Sequence, residues 1–211
     1  MHTFIWRDVR LYGWKPTGDC LESNFDTPLD WMINRIQARS EEHKGDLLVQ
    51  IMCHGMPGYL QCCRGRAQHP DFGPGITIYD LQKFGEIRGM VKRLELHACL
   101  VARMGKCYEC GDHEAYDGNL FCYQLAQTIQ AEVKASIHVQ YYDDGTYSDG
   151  SPHGGGTSFG QWNGRVFTWN AEGKIIQTED FPYVEYKKVK PPPKDTSGRF
   201  KEPSGTSGTR W

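Results

Sequence analysis

A chain of 211 residues with 38% hydrophobic residues can build one substantial core, and its formal net charge of −2 argues against a polycationic nucleic-acid binder. No run approaches the roughly 20 apolar residues that cross a bilayer, so no membrane span and no nucleic-acid partner are expected. Residues 1–14 scatter Arg7, Asp8 and Arg10 among apolar residues, unlike the basic-then-apolar order of a signal peptide. A cytoplasmic protein, or one delivered without a classical signal peptide, is expected, with its eight cysteines kept as thiols.

Thr3 to Tyr12 is β-branched and aromatic and reads as a first strand. Asp26-Thr27-Pro28 then opens a helix in which Leu29, Met32, Ile33 and Ile36 share one face, and polar residues 40–45 end it. Leu47 to Met52 is a nearly continuous apolar run, the pattern of a buried parallel strand. Short strands follow at Tyr59–Cys62 and Ile76–Tyr79, then a helix from Leu81 to Ile87 capped by Asp80, then a strand from Val91 to Ala98. Beyond a polar loop, residues 105–118, Asn119 caps a helix with Phe121, Leu125 and Ile129 on one side. Val133 to Tyr142 returns to strand character.

Residues 143–160 form a Gly-, Ser- and Asp-rich loop, of a length that in compact domains is often functional. Arg165–Thr168 and Lys174–Gln177 flank Asn170-Ala171-Glu172-Gly173 and read as a hairpin. Residues 187–211 hold seven Lys or Arg against two Asp or Glu, so this segment is +5 and the remainder −7. With three consecutive prolines and Ser/Gly/Thr repeats, it is expected to be a disordered tail behind one domain spanning residues 1–186. Alternating strands and helices predict an α/β fold with a mostly parallel sheet, helices on both faces and a C-terminal β-hairpin.

Two apolar strands end in reactive residues. One runs into His54-Gly55, the other into Ala98-Cys99. In open parallel sheets, sites form at the carboxyl ends of strands, and neighbouring strands lie about 5 Å apart. A thiol paired with an imidazole makes a nucleophile and its acid–base partner. Gly55 lets a backbone N–H approach a carbonyl closely, and with the N–H of Cys99 it would form an oxyanion hole.

These residues resemble the caspase-like clan of cysteine peptidases, in which a strand ending in His-Gly precedes one ending in Ala-Cys. The separation of His54 from Cys99 fits the caspase spacing of roughly 50 residues. Within the clan, residues 54–61 (His-Gly-Met-Pro-Gly-Tyr-Leu-Gln), Ala98-Cys99-Leu100-Val101-Ala102 and residues 118–136 resemble the caspase-like domain of large bacterial surface proteins, over about residues 45–177. The resemblance implies a three-layer α/β/α caspase-like fold and a Cys-His dyad that hydrolyses peptide bonds through an acyl-enzyme, without a cofactor. It implies a protein or peptide substrate, with room for an activator or delivery partner, as for a bacterial effector. His97 stands where caspases carry Gln and Leu100-Val101 where they carry Arg-Gly, so aspartate specificity is not implied. Separase-like members keep an acidic specificity residue after the following strand, which points to Asp144 reading a basic P1 residue. The loop around Arg103 and Lys106 is where clan members undergo activating cleavage.

Two other readings stay open. The scaffold could be an inactive interaction module, with His54 and Cys99 as packed residues. Alternatively, Cys107, Cys110, His113 and Cys122 could form a zinc site, although only the Cys107/Cys110 half has regular spacing. Alternation places Cys53 on the opposite side of its strand from His54, in the core, and gives His97 a packing role on the face of Cys99.

Overall fold

The computed structural model describes residues 1–11, 16–69, 73–104, 117–140 and 161–183. Strand β1 (His2–Asp8) alternates Phe4, Trp6 and Asp8 inward, all fully buried. It lies between two parallel neighbours, β2 (Asp19–Ser23) and β3 (Leu47–Met52), with Phe4 opposite Asp19 on one side and Val49 on the other. Strand β8 (Arg93–His97) adds in parallel to β3, and β9 (Glu132–Ser136) to β8. The sheet then reverses: β10 (Arg165–Trp169) and β11 (Ile175–Asp180) add antiparallel, giving seven strands in the order β11-β10-β9-β8-β3-β1-β2. The C-terminal hairpin and the mostly parallel α/β sheet are as expected.

Three α-helices return the chain between parallel strands: α1 (Leu29–Glu42), α2 (Leu81–Phe84) and α3 (Gly118–Ile129). Met32, Ile33 and Ile36 of α1, Phe84 of α2 and Phe121, Leu125 and Ile129 of α3 join one cluster with Phe4, Trp6, Val49, Ile51, Leu94, Leu96, Val133 and Ala135. Those strand residues share one face by two-residue periodicity. The crossovers β2-α1-β3, β3-α2-β8 and β8-α3-β9 all move the same way across the sheet. Right-handed connections travelling in one direction place their helices on one face. Among the described residues, therefore, helices cover a single face rather than the two expected. The other face carries a polar row, Gln50, Glu95, His97 and Lys134, from three adjacent strands.

Local physics moved several boundaries. Strand β2 escaped the sequence reading because Asp19-Cys20-Leu21-Glu22-Ser23 has no β-branched or aromatic residue. Helix α1 starts with Pro28 at its cap and no side-chain cap, its approach held instead by Asn24, whose side-chain Oδ1 accepts from the N–H groups of Asp26 and Thr27. Asp117, not Asn119, caps α3, accepting from the Leu120 N–H at 3.0 Å. Strands β6 (Ala67–His69) and β7 (Gly73–Gly75) pair antiparallel in a small separate hairpin. Of Ile76–Tyr79 only Ile76 pairs, with Leu60; Thr77 and Asp80 form a capping box around a 3₁₀ turn. The strand expected to reach Tyr142 stops at Ser136. Residues 184–211, with the expected tail, lie outside the described residues. No helix among the described residues is long and apolar enough to cross a membrane.

Candidate active site at the carboxyl rim of the sheet

Strands β3 and β8 are parallel neighbours with Met52 opposite His97, and the Cys53 N–H donates to the His97 carbonyl at 3.4 Å. Beyond Met52 and His97 both chains leave the sheet at its carboxyl rim, one into the hairpin that begins at His54 and the other into the turn that holds Cys99.

After Cys53 the chain turns back on itself. Strands β4 (His54–Met56) and β5 (Tyr59–Gln61) form a hairpin closed by Pro57-Gly58, with Gly58 at φ 65° as a tight turn requires. His54 opens this hairpin and is exposed; Gly55 follows it. Gly55 has no room for a side chain, since a Cβ there would stand 2.8 Å from Ala98 Cβ and 3.0 Å from the Cys99 carbonyl oxygen. The hairpin backbone thus lies directly against Ala98-Cys99. The Gly58 N–H also donates to the Val101 carbonyl at 3.0 Å, tying the hairpin tip to the turn that follows Cys99.

Cys99 sits at the head of that turn. Leu100 adopts φ 58°, a left-handed conformation costing a β-carbon-bearing residue about 1 kcal/mol or more. The turn is held by Leu100 N–H to His138 O, Ala102 N–H to Ser136 O and Arg103 N–H to Leu100 O. Strained backbone beside a candidate nucleophile is where strain tends to gather. The half-buried Cys99 thiol donates to the Gln140 carbonyl at 3.5 Å, and burial pushes its pKa up. The thiol rests in its neutral form, turned to a carbonyl rather than to the imidazole.

Gln140 is itself clasped. Its amide donates to the Asn163 and His138 carbonyls and accepts from the Asn163 N–H, while the Asn163 side chain donates to the Val139 carbonyl. Neighbouring Trp162 stacks on His97 at 4.0 Å between ring centroids. His97 is fully buried and bonded to Glu95 at 3.1 Å. Burial works against the Glu95 carboxylate, but hydrogen bonds from His97 and Gln50 and the charge of Lys134 outweigh it and hold its pKa below the usual range. His97 therefore packs and braces, as expected from the sequence.

No protein-family model and no curated protein matches the chain.

Asp144, Lys106, Cys107, Cys110 and His113 lie outside the described residues. The fourth residue of the zinc reading, Cys122, is buried in α3 within the apolar cluster, which pushes its thiol pKa well up. A different donor set, His2, Asp19 and His43, brings its ligand atoms within 4.8 Å of one another at the opposite rim. There the Asp19 carboxylate already meets His2 at 2.9 Å and Arg39 at 2.8 Å, while the two imidazoles stack in parallel 3.7 Å apart. A metal would have to displace the Arg39 pairing and unstack the rings, so the set serves as an ion-paired brace.

The sequence missed the Gln140–Asn163 clasp, the left-handed Leu100 and the hairpin at His54. Only the last left a signal, the Pro57-Gly58 pair between short apolar runs.

Proposed function

We propose that this chain is a cysteine endopeptidase of caspase-like type, acting through His54 and Cys99. The observation that supports the reading is the seat of the His54 hairpin, whose Gly55 has no room for a Cβ against Ala98 and the Cys99 carbonyl, at the rim where the parallel strands β3 and β8 end. A peptide in extended form lies across the rim. Cys99 turns from the Gln140 carbonyl toward the scissile carbonyl, and His54 takes the thiol proton. The S–C bond forms while the backbone N–H groups of Gly55 and Cys99 donate to the oxyanion. His54 returns the proton to the leaving amine, and water then hydrolyses the thioester. Catalytic hydrogen bonds that tighten only in the substrate complex are common, which accommodates a resting thiol that faces elsewhere. Asp144 reads a basic P1 residue, and the loop around Arg103 and Lys106 is the maturation point of a delivered or intracellular enzyme.

The test is proteome-wide mapping of new amino termini produced by wild-type and Cys99→Ala protein. Termini that appear only with the wild type, after Arg or Lys, support the whole reading; termini after Asp alone would remove the role of Asp144. A second reading, a non-catalytic interaction module on this scaffold, is favoured by the raised pKa and neutral resting state of Cys99. Identical termini from both proteins would establish it in place of the first.

A further inference from the structure

Three buried thiols, Cys53, Cys62 and Cys63, lie under the candidate site and take no part in the proposed hydrolysis. In the β4–β5 hairpin His54 pairs with Gln61, so one more step of the antiparallel register sets Cys53 opposite Cys62. Alternation turns both away from His54 and into the core, where they join one cluster. Residues directly opposite across antiparallel strands have Cα atoms roughly 4.5–5.5 Å apart, inside the range that a disulfide spans.

Both backbones are anchored. Cys53 bonds to β8 through its N–H. The Cys62 carbonyl accepts from the Ser23 hydroxyl at 2.6 Å, and the preceding Gln61 carbonyl accepts from Arg10 at 2.6 Å. The Cys53 and Cys63 thiols both neighbour the Cys62 sulfur closely enough to bias its ionisation. Those neighbours pull the Cys62 thiol pKa down, whereas burial pushes Cys53 up, and the proximity of Cys62 together with burial pushes Cys63 up. Arg10 lies close enough to Cys53 for their charges to interact, although Asp8 opposes it.

We propose that Cys53 and Cys62 are a redox modification site, a cross-strand thiol pair that a hydroperoxide converts into a disulfide beneath His54. The Cys62 thiolate attacks the hydroperoxide, a sulfur–oxygen bond forms, the O–O bond breaks, and an alcohol or water leaves. Cys53 then attacks the sulfenic sulfur; the S–S bond forms, the S–O bond breaks, and water carries off the thiol proton. Two electrons pass from the two sulfurs to the peroxide, and no other reactant is needed. A two-stranded hairpin with three-residue strands opens locally at less cost than the whole fold, which admits so small an oxidant. The product ties down the strand that carries His54 and Gly55.

The experiment oxidises the intact, reduced chain with hydrogen peroxide, blocks remaining thiols, and digests with chymotrypsin without reductant. Cleavage after Tyr59 or Leu60 separates Cys53 from Cys62, so a disulfide between them appears as two linked fragments, whereas a Cys62–Cys63 bridge links none. The expected result is a linked pair in wild type and in Cys63→Ser, absent in Cys62→Ser. Linkage should form at least tenfold faster in folded protein than in protein unfolded by urea, a comparison that holds even where a variant folds poorly. Absence of the pair under conditions that oxidise Cys99, its survival in Cys62→Ser, or equal rates in folded and unfolded chains would overturn the proposal. Peptidase activity does not enter the readout, so its failure leaves the hydrolase reading untouched, and the converse holds.

Discussion

Replacing Gly55 with alanine tests how closely the His54 hairpin must lie against Cys99. The added methyl would meet Ala98 Cβ at 2.8 Å, the Cys99 carbonyl oxygen at 3.0 Å and the Tyr59 carbonyl oxygen at 3.2 Å. Carbon atoms pack at about 3.5 Å or more, so relief of the first contact alone moves the hairpin by about 0.7 Å. None of the three atoms is the free end of a flexible side chain, so the backbone itself must give. Overpacking of this kind costs about 1–3 kcal/mol. A shift approaching 1 Å between reacting groups costs up to about 100-fold in rate. Urea denaturation and turnover of a wild-type cleavage sequence read the two effects separately. Gly85→Ala is the control, since its Cβ would meet only Thr128 Cγ2 at 3.8 Å, and it should leave both unchanged. Adding Ala98→Gly to Gly55→Ala should recover part of the lost stability, because it removes the nearest contact. A Gly55→Ala protein as stable and as active as wild type would refute the close packing on which the dyad geometry depends.

Two further outcomes follow from buried polar groups. Gln140→Ala removes the two hydrogen bonds that its amide makes with the buried N–H and carbonyl of Asn163 and should cost about 1–3 kcal/mol by denaturant titration. It should also speed alkylation of Cys99 as the Gln140 carbonyl loosens; unchanged stability and labelling would show the clasp to be idle. Burial keeps Cys122 protonated in the folded chain well above the pH at which it ionises when unfolded. Its contribution is therefore full below the ordinary thiol pKa near 8.5–9 and is lost as pH rises above it, by about 1.4 kcal/mol per unit. Cys122→Ala should flatten the fall in stability between about pH 9 and 10 by that slope; an equally steep fall would mean that the thiol is solvated.

The sheet was legible in the sequence where strands were apolar and continuous. Leu47–Met52 and the run ending at His97 read as buried parallel strands, and the two do pair side by side in the sheet. Strand β2 was hidden because an edge strand with Asp, Cys, Glu and Ser needs only its backbone to pair. One-sided helix placement was hidden for another reason: handedness fixes which face a crossover takes only after the strand order is known. Within the site, composition could nominate His54, Gly55 and Cys99. The carbonyl facing the thiol was out of reach, since Gln140 and Asn163 meet only through the turn after β9 and the segment leading into β10. The Cys53–Cys62 pairing was within reach, because Pro57-Gly58 fixes the hairpin register that sets the two thiols opposite each other.

The most direct measurement of the dyad is the rate at which a peptide bearing an electrophilic ketone in place of its scissile bond alkylates Cys99, followed by mass spectrometry in wild type and His54→Ala. The account expects a lysine- or arginine-ended probe to modify Cys99 at least 100-fold faster than any other thiol, and His54→Ala to remove most of that advantage while leaving the denaturation midpoint unchanged. Equal alkylation rates in the two folded proteins would contradict it.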